Sequence, residues 1–405
     1  VLDRNKLLKS IQQVADDIFL DLSQECKRAQ EVWEQIVADP TFLLKVKKVE
    51  APWPVPFWSE PLDKTYPIAH PLNAYHVISV DGSQIYPDRH QGVSCYLLNV
   101  GSVALHYGIP QDFPSIQIGT GGTNGVGIKP VFLASEPYVF TSCPTGALRE
   151  PQGARVPGHI ADTNAEIVNC HRQELELQAG YALGLKVKQE IKDSAPLVLL
   201  YDGSLIFWHL DAQDVALRER FLSRYLSLLH QLHKERITTA SYISLTKSRE
   251  LLNLVRLQLC DFDPSKTQAF QVVEGVVDAV IVKSFLPEYH RTIVFQNNAR
   301  ISEFYPDQLR PHFFYLNVGD EIGRVEIPAW VAQDPELVNS VAQIVLDQCI
   351  KGRGYPVVIA EAHEQAVVKG PDREFFYHVL HKLGMEKKHQ WKMSQKVIKK
   401  RGIGI

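Results

Sequence analysis

Two tripeptides of identical composition, Asp81-Gly82-Ser83 and Asp202-Gly203-Ser204, each close a strongly apolar run, Tyr75–Val80 before the first and Pro196–Tyr201 before the second. Short runs of β-branched and aliphatic residues read as buried strands. A following Asp-Gly puts a carboxylate at the strand's C-terminal edge, where the glycine lets the chain turn sharply. Asp-Gly-Ser also makes ordinary turns. The shared context, a buried strand feeding the acid with a long helical stretch between the copies, favours a carboxylate site built from two strand edges.

The 405 residues are enough for one elaborated domain or two. With 43 Lys+Arg against 46 Asp+Glu the net charge is −3, so any binding to nucleic acid has to be local. Six cysteines, Cys26, Cys95, Cys143, Cys170, Cys260 and Cys349, form no CxxC pair, which argues against zinc and a disulfide framework and for reduced, mostly buried thiols. From Val1 to Ile36 charged and apolar residues alternate, without a signal peptide's apolar segment, and no later stretch would span a membrane. A cytoplasmic, soluble protein is expected.

Leu7, Leu8, Ile11, Val14, Ile18, Leu22 and Cys26 recur at three- and four-residue spacing, predicting an amphipathic helix from Asp3 to about Val37 that packs on the main body or on a second subunit. Ala51–Trp58 is broken by prolines and reads as an extended connector. Strand-like runs at Tyr75–Val80, Gly92–Val100 and Ser102–Gly108 predict an antiparallel meander. Between Pro110 and Gly158 lies a glycine- and proline-rich insertion. Its Gly119–Gly125 loop resembles a phosphate cradle but is followed by no Lys-Ser/Thr, so a nucleotide-binding ATPase is a weak third reading. Helices are predicted at Ala161–Lys192, Asp214–Lys234, Pro335–Cys349 and Ala360–Lys369, and strands at Thr238–Leu245, Thr292–Gln296, Phe313–Val318, Gly323–Ile327 and Tyr355–Ile359, with β-rich sequence at Val276–Lys283. Strands and helices mix without strict alternation, which predicts an α/β fold with a mixed sheet flanked by helices. The basic tail, Lys382 to Arg401 with Trp391, suits an arm tracking a nucleic-acid backbone or a solvated helix.

Metal-dependent phosphodiester cleavage needs anionic oxygens converging from separate elements. Asp81 and Asp202 supply two, and the intervening helix offers a third. At about 100° per residue, Ile167, Cys170, Leu177, Tyr181 and Leu185 fall within about 60° of Glu174, which therefore interrupts an apolar stripe, whereas Glu176 points toward Arg172 and Gly180. A carboxylate on a core face is paired, protonated or metal-bound. This wheel selects Glu174, with an arginine salt bridge as the plain alternative. Tyr355 and His363, eight residues apart, can reach one site from adjacent elements, and His363 can bind Mn²⁺, touch a phosphate or move a proton. Glu361 and Glu364 are rival acids.

These segments together resemble the NurA family of metal-dependent DNA-end-processing nucleases. The resemblance runs from Tyr75 to Val368 through His76–Ser83, His171–Leu177, Leu199–Leu205, Ser244–Ser248, Gly323–Pro328 and Tyr355–His363, in the family's order. It implies a ribonuclease H-like domain over residues 51–380, with an N-terminal helical segment (1–50) and a basic tail (381–405) added. It implies Asp81, the helix glutamate, Asp202 and His363 as ligands to two Mn²⁺ or Mg²⁺ ions, with Tyr355 completing the catalytic set. Glu174 is preferred and Glu176 is the alternative metal acid, both lying in the matching Arg-x-Glu-x-Glu stretch. Lys247 and Arg324 would contact DNA. The implied activity is 5′→3′ exonuclease on single- and double-stranded ends plus single-strand endonuclease, in DNA repair and end resection. A homodimer and a HerA-type hexameric ATPase are the implied partners. The rival from another class is an inactive ribonuclease H-like scaffold or DNA-binding protein.

Overall fold

The structure, a computed structural model, describes residues 2–70, 72, 74–87, 95–108, 129–141, 148–149, 155–156, 165–191 and 195–387. The Gly119–Gly125 loop, Cys143 and the tail beyond Lys387 lie outside the described residues, as does most of the insertion between Pro110 and Gly158.

The strands are β1 (Thr65–Pro67), β2 (Tyr75–Ile85), β3 (Cys95–Tyr107), β4 (Lys129–Thr141), β5 (Leu148–Arg149), β6 (Arg155–Val156), β7 (Leu197–Asp202), β8 (Thr238–Ile243), β9 (His290–Thr292), β10 (Phe295–Gln296), β11 (Pro311–Asn317) and β12 (Ile322–Pro328). Ten of them form one mixed sheet in the order β1-β9-β11-β12-β8-β7-β2-β3-β4, with β10 beside β11, while β5 and β6 pair separately. The centre is parallel, β2 with β7 and β7 with β8, and both flanks are antiparallel.

The helices are α1 (Arg4–Gln13), α2 (Ala15–Ile18), α3 (Ser23–Ala38), α4 (Phe42–Val46), α5 (Ala165–Glu190), α6 (Val215–Lys234), α7 (Glu250–Leu259), α8 (Thr267–Phe270), α9 (Asp278–Lys283), α10 (Ala329–Ala332), α11 (Pro335–Lys351), α12 (Val357–Ala366) and α13 (Gly370–Glu386). Alternation along the central strands sends side chains to two cores. Ile78, Val80, Leu199 and Tyr201 pack with α5 and α6 on one face, and Tyr75, Val77, Val198 and Leu200 pack with α11 and α12 on the other. A third core joins α3, α7 and α9 to the β9–β11 side. None of the described helices is long and apolar enough to cross a membrane. The five described cysteines are unpaired, and all but Cys26 are buried.

Five expectations change. The first Asp-Gly-Ser makes no turn, because β2 runs through it to Ile85, paired throughout with β3; only the second ends its strand, with Gly203 at φ +87°. Gly101 does not separate two strands, since β3 is continuous from Cys95 to Tyr107 and the meander's third strand is β4. Tyr355–Ile359 is not a strand. Val357, Val358 and Ile359 open α12 instead, their β-branched side chains buried or half-buried against the sheet core. Similarly, the β-rich Val276–Lys283 contains helix α9, whose Asp278 carboxylate accepts the Leu252 N–H at 2.8 Å and ties it to α7. The N-terminal helix is interrupted before Ser23, where Asp21 accepts the Ser23 N–H at 3.0 Å, and Leu7, Leu8 and Ile11 of α1 are exposed.

Gly101 shows how tightly α12 sits. A Cβ there would collide with the Ala362 carbonyl and the Ala366 amide nitrogen, both backbone atoms of the helix. Overpacking of this kind costs about 1–3 kcal/mol. Gly101→Ala is therefore expected to lower the unfolding free energy by that amount, read as a lower midpoint at unchanged slope in a denaturant titration. Gly370→Ala, where nothing lies within 4 Å, is expected to leave the midpoint unchanged or slightly raised.

Candidate active site

The parallel register of β2 and β7 sets Ile78 opposite Leu199; carried on three residues, it brings Asp81 level with Asp202 on strands spaced about 4.8 Å apart. Here the chain order reverses: β3 and β4 lie beyond β2, whereas β7 and β8 lie on its other side. Open sheets bind ligands at such a switch point, beyond the carboxyl ends of the parallel strands. Asp202 is the last residue of β7, and the departing Gly203 N–H donates to the Tyr242 carbonyl at 3.0 Å.

One short segment engages both acids. The Tyr355 hydroxyl donates to Asp202 Oδ1 at 2.9 Å, and His363 Nδ1 lies 2.8 Å from Asp81 Oδ2. Both residues come from the entry and body of α12, whose far end is clamped by Ser83 Oγ and Asn99 Nδ2, which donate to the Ala366 carbonyl at 2.5 and 2.8 Å. His363 is largely exposed.

The third carboxylate is Glu176. It stands against β2 so closely that a Cβ on Gly82 would lie 2.6 Å from Glu176 Oε1 and 2.8 Å from Arg172 Cγ. Arg172 Nε is 3.6 Å from Glu176 Oε1, and its Nη1 donates to the Gly82 carbonyl at 3.0 Å. Burial pushes the Glu176 carboxyl up to about 8; Arg172 opposes this, the charges on Asp81 and Asp202 add to it, and the Gly82 N–H opposes it. Asp202 is raised too, mainly by burial and then by Asp81, against the Tyr355 hydrogen bond. Three acids thus share one field with Arg172 as the adjacent cation.

Glu174, the residue the helical wheel selects, lies elsewhere. It is buried, but its Oε1 accepts from Arg224 Nη1 of α6 at 3.1 Å, the salt bridge that was the plain alternative. The wheel failed because α5 is buried on more than one side, by α6 as well as by the sheet. The signal for the sheet-facing side was present in Gly180 and Gly184, one and two turns beyond Glu176. A Cβ on Gly180 would strike the Tyr201 hydroxyl, and one on Gly184 would meet Ile237 at 2.9 Å.

Arg324 also departs from expectation. It is 1% exposed, with Nη1 2.9 Å from Glu250 and Nε 2.9 Å from Glu326, and it lies over the Phe313 ring, so it is not presented to a DNA backbone. It acts through Glu326, whose Oε2 accepts from Ser204 Oγ at 2.7 Å and from the Leu205 N–H at 2.9 Å, fixing the loop after Asp202. Lys247 is exposed on the loop that follows β8, the neighbour of β7. Arg172, Ser204 and Glu326 had no assigned role in the sequence reading.

A cleft of about 340 Å³ opens beside the acids, bordered by Glu176 and Arg172 from α5, by Asp202 and by Trp208. The family model described as the NurA domain matches residues 75–368. The chain belongs to the NurA family. The matched span begins at the first residue of β2 and ends two residues beyond α12, so it holds every residue of this NurA site. Comparison with curated proteins gives no match. Among solved structures, a similarity to the prototype foamy virus protease–reverse transcriptase (native) has 14% identity and a TM-score of 0.19, covering 52% of this chain and 22% of that one. A likeness of that size carries no argument.

The raised Glu176 carboxyl fixes a pH dependence. With its carboxyl pushed up to about 8 by burial, Glu176 would lose a proton to any divalent cation held here, so the affinity of such a cation is expected to rise from pH 6 to pH 9. Calorimetry at pH 7 in buffers of different ionisation enthalpy should register release of a proton on Mn²⁺ binding. Glu176→Gln should abolish that release and Glu174→Gln should retain it.

Proposed function

We propose that this chain is a divalent-cation-dependent deoxyribonuclease with a ribonuclease H-like catalytic core. The observation that carries the reading is that Asp81 and Asp202 stand side by side at the open end of the β2–β7 pair, with Glu176 brought against Gly82 next to them. Acids gathered this way repel one another, and a cation relieves the repulsion. Their oxygens are the donors Mg²⁺ and Mn²⁺ prefer. Among the described residues no group of three or more His, Cys, Asp or Glu side chains stands ready to hold a metal ion, so the third acid would have to close on the cation as it binds. Mg²⁺ is commonly held by only one or two carboxylates together with waters and substrate phosphate.

Asp81, Asp202 and Glu176 would hold the cation, or two of them, and Glu174 is left to α6. When bound, such cations activate water for in-line attack and neutralise the charge that develops on the leaving oxygen. Tyr355 donates to Asp202 Oδ1 and so orients that carboxylate, leaving its other oxygen for the site. His363 orients Asp81 through Nδ1, and its second ring nitrogen can contact the scissile phosphate or carry a proton. Arg172 holds Glu176 against Gly82. Lys247, on the loop after the neighbouring strand, provides an exposed cation for the DNA backbone. Family membership supports a nuclease; the substrate proposed is DNA single strands and ends, the activity 5′→3′ exonuclease with single-strand endonuclease in end resection, and the proposed assembly a homodimer working with a HerA-type ATPase.

The test is cleavage of 5′- and 3′-labelled single- and double-stranded DNA in Mn²⁺, Mg²⁺ or EDTA. Wild type should cleave only with metal. Asp81→Asn, Asp202→Asn and Glu176→Gln should each lose at least about 100-fold, while Glu174→Gln stays within about 5-fold. Cleavage that persists in EDTA or in Asp81→Asn would overturn the reading, and DNA binding by the wild type without any cleavage would favour a scaffold.

A further inference from the structure

In the segment after Asp202 the aliphatic residues and Phe207 are buried, while Trp208 and His209 are exposed. Leu205, Ile206, Phe207 and Leu210 are each at most 3% exposed, yet Trp208 in their midst is 44% exposed. It stands on a short 3₁₀ turn, Trp208–Leu210, and borders the same cleft as Asp202 and Glu176. The indole is not loose. Its Nε1 donates to Ser204 Oγ at 3.1 Å, and that hydroxyl also receives the Ile206 N–H at 3.0 Å and donates to Glu326 Oε2 at 2.7 Å. The Phe207 N–H donates to the Tyr305 hydroxyl at 3.0 Å, fixing the backbone just before the ring. The polar edge of the indole is therefore satisfied internally, and the rest of the ring is offered to the cleft.

A rigid aromatic at the wall of a cleft beside a phosphodiester-cleaving site suits one chemistry above others. Nucleobases have apolar faces that stack on aromatic rings irrespective of sequence. A cleft of about 340 Å³ is within the range of small-molecule sites and admits a single base. The guanidinium of Arg172, which also lines the cleft, is a second planar group of the kind bases stack on. Single-stranded DNA can present an unstacked base there at little cost, whereas a paired duplex interior must first be opened.

We propose that Trp208 is the stacking platform of a subsite for the nucleobase flanking the scissile phosphate. The inference rests on the nuclease reading and adds to it the part of the substrate that Asp81, Asp202 and Glu176 do not contact. It makes Trp208 a specificity-determining residue, selecting strands whose terminal or flipped base can enter the cleft.

Two experiments separate this inference from the reading beneath it. In the first, a single abasic position is walked along a labelled single strand cleaved in Mn²⁺. Wild type should cleave about 10-fold more slowly where the abasic sugar flanks the scissile phosphate. Trp208→Ala should cleave intact DNA about 10-fold more slowly and show no further loss at the abasic position, and Trp208→Phe should recover most of the wild-type rate. In the second, dAMP and deoxyribose 5-phosphate are titrated into the full chain in Ca²⁺. Wild type should prefer dAMP, and Trp208→Ala should not discriminate. Normal cleavage with indifference to the abasic position would overturn the subsite and leave the nuclease standing. Absence of all cleavage, with a Trp208-dependent preference for dAMP, would overturn the nuclease and leave the subsite.

Discussion

The site depends on how closely two helices approach the strand that carries Asp81. On one face, Gly82 lets α5 bring Glu176 and Arg172 against β2; on the other, Gly101, directly opposite Asp81 in the β2–β3 register, lets α12 lie flush on the sheet. Neither place has room for a Cβ. In both cases the missing side chain converts a helix that would pack at ordinary distance into one whose polar side chains reach the strand's end. Glu176 then arrives from the α5 face while Tyr355 and His363 arrive from the α12 face, and the two aspartates lie between them at the end of the parallel strands. A separate set of bonds keeps α12 from sliding, since Ser83 and Asn99, opposite each other on β2 and β3, both donate to the Ala366 carbonyl.

A second constraint fixes the loop that leaves Asp202. Arg324 is buried between Glu250 and Glu326, and Asp278 hydrogen-bonds Tyr315 nearby at 2.7 Å. Burial and the neighbouring Glu250 raise the Asp278 carboxyl, whereas the two carboxylates against Arg324 hold its charge firmly despite burial. Removing one partner of a buried ion pair leaves an uncompensated charge, a loss of about 3–5 kcal/mol. The network therefore has little freedom, and its member Glu326 passes that rigidity to Ser204 and the Leu205 N–H. Stability in the third core is coupled in this way to the geometry of the active-site loop and of Trp208.

The sequence made much of this legible where one physical signal dominated. Long apolar runs marked β2, β7, β8, β11 and β12, and the two Asp-Gly-Ser copies marked the open end of the β2–β7 pair. It misled where a residue type had two meanings. Gly101 reads as a strand break and serves as a contact surface for a helix. Val357–Ile359 reads as a strand because β-branched residues favour one, yet burial against β2 and β3 overrides that preference. Glu174 and Glu176 lie two positions apart on a helix buried on several sides, so hydrophobic periodicity alone could not rank them; the Gly180 and Gly184 line could. Arg324 followed from resemblance rather than from its surroundings, and its burial between two carboxylates shows a structural role.

The central claim, that Glu176 rather than Glu174 joins Asp81 and Asp202 in holding the catalytic cation, is open to direct observation. Crystals of the full chain soaked in Mn²⁺ and measured at the manganese absorption edge would locate the ion by its anomalous signal. Density is expected at the open end of β2 and β7, contacting Asp81, Asp202 and Glu176, with the Glu174–Arg224 pair intact. Density at Glu174, or none within reach of Asp81 and Asp202 in crystals of a protein that cleaves DNA with Mn²⁺, would contradict it.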